Sequence, residues 1–391
     1  MKTFFLIILF IFSVTASAQD SITTADVRAA EKMFGLSFTE AKRESLLGDV
    51  TAQRKKFGEL RALHLDNSVL PSMLFNPIPA GFTFPTGKSA FRPAGVKDVT
   101  LPLSDDRIAF LTVSELGTLI RTKKLSSERL TRIYLDRIRR YQPMLQCVVT
   151  VTESLALAHA QRADKEIAAG KYRGPLHGIP YGAKDLLSTK GYPTTWGSVP
   201  FQDQVIDEDA TVIKKLEVAG AVLIAKTAMG ELAWGDVWFG GKCRNPWDTT
   251  QGSSGSSAGS ASGTSAGLFA FAIGSETYGS IVSPSTRCGV TGLRPTYGRV
   301  SRAGAMALSW SMDKLGPICR SVEDCALVFE AIRGTDPKDP TLYEVPLSYI
   351  PTATNLKKLR IGYVKADFDS AEEGKAFNDS VLTVLRSFGR S

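Results

Sequence analysis

Residues 251–267 read QGSSGSSAGSASGTSAG, with seven serines, five glycines and three alanines. By composition alone this is a flexible tether. Two features count against that. Gly255, Gly259, Gly263 and Gly267 recur every fourth residue, and on a helix they form one stripe along which the backbone can approach a neighbour closely. The stretch also runs directly into LFAFAIG, residues 268–274, with no charged residue between. It therefore reads as a loop feeding a tightly packed helix, with a buried strand behind it.

Working outward, apolar runs of strand length alternate with helical patterns. The runs are Leu145–Val151, Ile179–Lys184, Ala221–Lys226, Leu268–Ile273 and Leu359–Val364. That alternation predicts an α/β layer fold around a largely buried sheet. Thr112 and Glu115 have the spacing of a capping box. Leu130, Ile133, Tyr134, Ile138 and Tyr141 mark one face of a helix that Pro143 is expected to end, while Asp209 and Gly220 are expected to cap another. Residues 22–66, rich in Ala, Glu, Lys, Arg and Leu, suggest a helical arm. From Asn67 to Pro102 the Pro, Gly and Phe content without periodicity suggests a chain laid over a surface.

The chain has 391 residues, 43% hydrophobic and 22% charged, enough for one large domain or two smaller ones. Lys2, the apolar run Phe4–Val14 and Ala16-Ser17-Ala18 have the form of an export signal cleaved after Ala18. A secreted or periplasmic protein, with no stable membrane insertion after cleavage, is the expectation. The formal charge is +8, and the basic cluster Arg129–Arg140 falls on the polar side of an amphipathic helix, so nucleic acid is not an expected partner. Five cysteines without a CxxC pair predict buried thiols rather than a zinc site or a disulfide framework. No metal or other cofactor is expected.

Three nucleophile patterns compete. Gly255-Ser256-Ser257-Ala258-Gly259 satisfies GxSxG, but that chemistry needs a histidine after the serine, and His64, His159 and His177 all precede it. Ser311-Met312-Asp313-Lys314 satisfies SxxK, without the SDN and KTG elements that accompany it in penicillin-recognising enzymes. The third pattern uses a lysine as base. Lys184 ends the apolar run GIPYGAK and is followed by Asp185; burial there would lower its pKa toward neutrality and let it take a serine's proton.

GIPYGAKD (178–185), PTTWGS (193–198), AGAVLIAKTAMGELA (219–233), NPWD (245–248), GSSGSSAGSASG (252–263), GSETYGSI (274–281), RCGVTGLRPTYGRVSR (287–302) and SMDKLGPICRSVEDCAL (311–327) together resemble the amidase signature family, in the family's order. The resemblance implies a central mixed, twisted β-sheet with helices on both faces. It also implies a catalytic triad of Lys184, Ser256 and Ser280, with Ser280 the nucleophile, Ser256 the bridging serine and Gly255–Ser256 a cis peptide. Backbone N–H groups of Thr277, Tyr278, Gly279 and Ser280 would form the oxyanion hole, with Met229, Gly230 and Ser257 at the substrate.

The expected function is hydrolysis of a small-molecule amide through an acyl-enzyme on Ser280. The competing readings are an inactive amidase-like binding protein or truncated remnant and an amidotransferase A subunit. Two departures stand out: Tyr278 replaces a glycine of the family's GGS run, and Val282 an arginine. The expected organisation is a signal over 1–18, a helical and surface-wrapping segment over 19–105, and the signature domain over 106–391. Family members usually run longer, so the sheet is expected to be incomplete at its C-terminal end, and a homodimer is one way to cover its edge.

Overall fold

A computed structural model describes residues 21–388 apart from 86, 354, 356–357 and 371–373. The expected export signal lies outside the described residues. Two compact units divide between Val69 and Leu70, inside the segment 19–105 that the sequence groups together.

The first unit is a pair of helices, α1 (Thr24–Phe34) and α2 (Glu40–Arg61). Thr23 and Asp26 close a capping box at the start of α1, and Thr39 caps α2. Arg43 of α2 grips the buried Glu31 of α1 with two bonds of 2.7 Å. That fork-to-carboxylate geometry is the strongest form such a pair takes.

The second unit is built on a six-stranded mixed sheet. Its strands are β1 (Val148–Val151), β2 (Pro180–Lys184), β3 (Val222–Thr227), β4 (Phe271–Glu276), β5 (Thr291–Gly292) and β6 (Lys314–Cys319), in the spatial order β5-β6-β4-β2-β3-β1. The centre, β4-β2-β3, is parallel; β6, β5 and β1 run antiparallel to their neighbours. Every residue of β2, β3 and β4 is buried. Both faces are covered, so these strands read as continuous apolar runs rather than alternating ones.

The helices are α3 (Asp105–Ala109), α4 (Val113–Arg121), α5 (Ser127–Leu145), α6 (Glu153–Ala168), α7 (Thr211–Val218), α8 (Ala258–Ser265), α9 (Val282–Cys288) and α10 (Val322–Ile332), with α11 (Lys365–Ser370) and α12 (Lys375–Phe388) near the end. On β2, Tyr181 faces a cavity shared with Leu155 and His159 of α6 and Ile213 of α7. Lys184, three residues on and so on the other face, points to the α8 side. The glycine stripe explains how close α8 comes: a Cβ on Gly259 would stand 2.0 Å from the Cys147 carbonyl oxygen, and one on Gly263 2.3 Å from the Phe269 ring.

The capping box of Thr112 and Glu115 is present, and four of the five expected strands form. Leu359–Val364 does not: it has no strand structure, and Leu359, Ile361, Tyr363 and Val364 are exposed. The sheet is instead continued by β6, inside SMDKLGPICRS, where Pro317 makes the run look unlike an interior strand. Pro143 does not end α5, which continues to Leu145 and stops at Gln146 in the left-handed conformation; in the last turn the missing N–H removes only one helical bond. Asp209 does not cap α7, whose cap is Ala210; its carboxylate accepts the Lys190 amide at 2.9 Å.

Candidate active site

The parallel strands bring two chain segments together at their C-terminal ends. β2 ends in Lys184, and β4 ends in Ser275 and Glu276 before the loop 277–281 turns into α9. Between them lies the loop 253–257 that feeds α8, with a cis peptide at Gly255–Ser256. A Cβ on Gly255 would fall 1.7 Å from the Gly235 carbonyl oxygen, so only glycine fits.

The Lys184 Nζ donates to Ser256 Oγ at 2.7 Å and to Ser275 Oγ at 2.9 Å, and all three groups are almost wholly out of contact with solvent. Burial lowers the Lys184 pKa to about 7, with Asp313 and Glu276 opposing the fall. A lysine so placed is half neutral near physiological pH and can accept a proton.

The nucleophile loop is tied to the relay loop by backbone and hydroxyl contacts. The Ser257 N–H donates to the Ser280 carbonyl at 3.1 Å, and Ser254 Oγ and Ser283 Oγ are 2.8 Å apart. The Glu276 carboxylate, fully buried, accepts the amides of Ile281 at 2.8 Å and Val282 at 3.0 Å and pairs with Arg294 at 2.9 Å. Burial alone would raise its pKa; the amides of Val282, Ile281 and Gly279 and the guanidinium outweigh it and hold the carboxyl below its usual range. Gly279 turns the loop at φ +91, a conformation that suits glycine.

These segments follow one another in a pattern that many unrelated chains would not share, and the profile of the Amidase family matches residues 129–390. The chain belongs to the amidase family. The A subunit of the glutamyl-tRNA(Gln) amidotransferase of Carboxydothermus hydrogenoformans is 40% identical over 289 residues, 72% of this chain and 59% of that protein. The native peptide amidase of Stenotrophomonas maltophilia superposes with a TM-score of 0.66 at 37% identity, over 71% of this chain and 60% of that one. An amidase family protein of Bacillus anthracis gives a TM-score of 0.66 at 30% identity, over 78% of this chain and 66% of that one. The chain thus spans about three fifths of the length of the first two relatives.

Within this amidase-family fold, the residues singled out from sequence fall into different environments. Lys184 and Ser256 touch; Ser280 lies half-buried on the adjoining loop, beside Tyr278, which is 88% exposed. The Gly279 amide is engaged by Glu276 rather than open. Of the three residues expected at the substrate, Met229 and Ser257 are fully buried, and the Ser257 hydroxyl bonds both the N–H and the carbonyl of Ser275. Gly230 donates its N–H to the Ser256 carbonyl at 3.3 Å. Gly230 and Ser257 are thus bonded into the relay loop, while Met229 is only a buried side chain.

Sequence reading passed over Ser275, the second hydroxyl on Lys184, and Lys226. Lys226 Nζ stands 2.8 Å from Asp185 Oδ1 with both side chains fully buried, and also donates to Thr194 Oγ1 at 3.0 Å. A signal was present: AVLIAK leads an apolar run into a lysine just as GIPYGAK does. The SxxK lysine, Lys314, donates to the Thr277 carbonyl at 3.1 Å. His177 is buried against Glu166, 3.2 Å away. All five cysteines are buried free thiols. Among the described residues no cluster of three or more His, Cys, Asp or Glu could hold a metal ion, and no helix is long and apolar enough to cross a membrane.

Proposed function

We propose that the protein is a serine amidase that cleaves a carboxylic amide to an acid and ammonia or an amine. The observation that carries this reading is the buried Lys184 ammonium nitrogen, with a pKa near 7 and 2.7 Å from the Ser256 hydroxyl. In the mechanism, neutral Lys184 takes the Ser256 proton while Ser256 takes that of Ser280, whose oxygen attacks the amide carbonyl. Backbone N–H groups of the 277–280 loop other than that of Gly279, which Glu276 takes, face the oxyanion, each worth about 3 kcal/mol in such sites. As the carbon–nitrogen bond breaks, the relay returns a proton to the leaving amine. Water then attacks the acyl-enzyme, giving its proton to the same relay, and releases the acid and Ser280. No metal or cofactor enters this sequence.

The reading extends to location: the form of residues 1–18 supports export to the periplasm or the medium. A second reading, an ammonia-supplying component of an amidotransferase, is favoured by the 40% identity to such a protein. Export argues against it.

The test is to incubate the protein with aryl, short aliphatic and long-chain amides and with a fluorophosphonate probe, beside Ser280→Ala and Lys184→Ala. Labelling of the wild type and not of Ser280→Ala, with ammonia or amine released, supports the amidase. Soluble, folded wild type that neither labels nor turns over any amide leaves an amidase-like binding protein instead. Ammonia release only in the presence of an aminoacyl-tRNA-binding partner points to the amidotransferase component.

A further inference from the structure

We propose that Asp313 is a positioning residue of this site, anchoring Thr277 at the start of the nucleophile loop and supplying the negative charge that faces Lys184. The proposal rests on the amidase reading of Ser280 and Lys184 and adds a residue outside the triad.

Three observations carry it. First, Asp313 is buried and its two oxygens hold two different segments. Oδ1 accepts the Thr277 hydroxyl, and Oδ2 accepts the amides of Leu308 at 2.7 Å and Ser309 at 2.9 Å. Second, the next residue grips the same point of the loop from the backbone side: Lys314 Nζ donates to the Thr277 carbonyl at 3.1 Å, while Lys314 pairs in register with Glu276 across β6 and β4. Thr277 is therefore pinned through its side chain and its carbonyl by adjacent residues. Beyond it, Glu276 pins the far end of the loop through Ile281 and Val282. Ser280 is suspended between the two pins. Third, Asp313 and Ser275 line the same cavity of about 20 Å³, with Arg302 and Trp310, and Ser275 is the second hydroxyl on Lys184.

The charges facing Lys184 are few. β4 contributes Glu276, whose charge is shared with Arg294. Asp313 stands just before β6 and Lys314 begins it, and Arg302 lines the small cavity but is paired with Asp339. Asp185 and Lys226 neutralise each other on the opposite face. Asp313 is the first of the two carboxylates that hold the Lys184 ammonium against the effect of burial. Removing its charge makes the neutral lysine easier to form.

The test uses the whole protein as Asp313→Asn, Thr277→Val, Thr277→Ser and the Asp313→Asn/Thr277→Val pair, each checked by thermal melting. Two readouts are taken: kcat and KM on the best amide with the labelling rate of Ser280, and the titration midpoint of Lys184 by NMR of lysine-labelled protein, assigned with Lys184→Met. A misplaced nucleophile loop lowers kcat roughly 10- to 100-fold with little change in KM. We expect that loss in both Asp313→Asn and Thr277→Val, no further loss in the pair because the two act through one bond, and recovery in Thr277→Ser. Only Asp313→Asn moves the Lys184 midpoint, and it moves it down. Wild-type kcat in either single variant, additive losses in the pair or an unmoved midpoint in Asp313→Asn overturns the proposal. If the wild type neither labels nor turns over an amide, the amidase reading fails; the midpoint then decides alone, its fall upholding the placement of Asp313 and its constancy overturning it.

Discussion

Lys184, the last residue of β2, and Lys226, the last but one of β3, lie one register step apart on neighbouring parallel strands and face opposite sides of the sheet: Ala183 pairs with Lys226, and Lys184 with Thr227. Both ammonium groups are buried, yet their partners differ. Lys226 meets the carboxylate of Asp185 at 2.8 Å, whereas Lys184 meets two serine hydroxyls at 2.7 and 2.9 Å. Burial lowers the pKa of both, but at Lys226 the directly bonded Asp185 carboxylate opposes the fall, whereas the hydroxyls on Lys184 carry no charge to oppose it.

The rate should follow this difference in pH. With the Lys184 pKa lowered to about 7 by burial, the fraction of enzyme with a neutral base rises through that pH and is nearly complete about two units above it. Fluorophosphonate labelling of Ser280 and amide turnover should both climb from pH 5 and level off on the alkaline side. A rate flat from pH 5 to 9 would remove Lys184 from the role of base.

Stability should carry the same signature. The unfolded lysine keeps its ordinary value of 10.5 while the folded one is near 7, so between those values the unfolded chain holds one proton more, and folding stability gains as pH rises. Lys184→Met removes that dependence. Its stability relative to wild type should therefore be greatest below pH 7 and decline toward pH 10.5, as read by denaturant titration at several pH values.

The other lysine should behave in the opposite sense. Lys226→Met leaves the Asp185 carboxylate buried without its cation, a change that typically costs about 3–5 kcal/mol. Adding Asp185→Asn should recover much of the loss, because the orphaned charge is gone. Equal melting temperatures for Lys226→Met and wild type would contradict the pairing.

The helix behind the site should not tolerate side chains on its glycine stripe. Gly259→Ala places a methyl 2.0 Å from the Cys147 carbonyl oxygen, which is backbone and cannot swing aside. Overpacking of this kind costs about 1–3 kcal/mol or more, and Ser256 at the head of the same helix should shift with it, lowering the labelling rate. Gly48→Ala, inside α2 with nothing within 4 Å of the added methyl, is the control without a clash and should gain about 0.5–1 kcal/mol.

Tyr278 should be separable from stability. At 88% exposure it packs little, so Tyr278→Ala should change stability by no more than an exposed substitution does, within about 0.5 kcal/mol. Any change in the range of amides accepted then reports on the rim of the site. No difference in the amide panel would place Tyr278 outside it.

The α/β class, four of the six strands, the Thr112 cap and the position of Lys184 were all legible in sequence, because local hydrophobic runs and capping spacings are local properties. The glycine period in residues 251–267 likewise announced a helix packed against something, though not what. The resemblance to a known family supplied Ser256 and Ser280, which no spacing rule could have ranked above the other serines nearby. Tertiary structure decided the rest. Two apolar runs that lead into a lysine look alike until register and side assign Asp185 to one and Ser256 to the other. Pro317 hid β6 because its missing N–H matters only once its neighbours are known. Asp313 could not be connected with Thr277, 36 positions away, until β6 was laid beside β4. A side chain's burial and partner, which set its pKa and so its chemistry, are properties of the folded neighbourhood and not of the residues on either side of it.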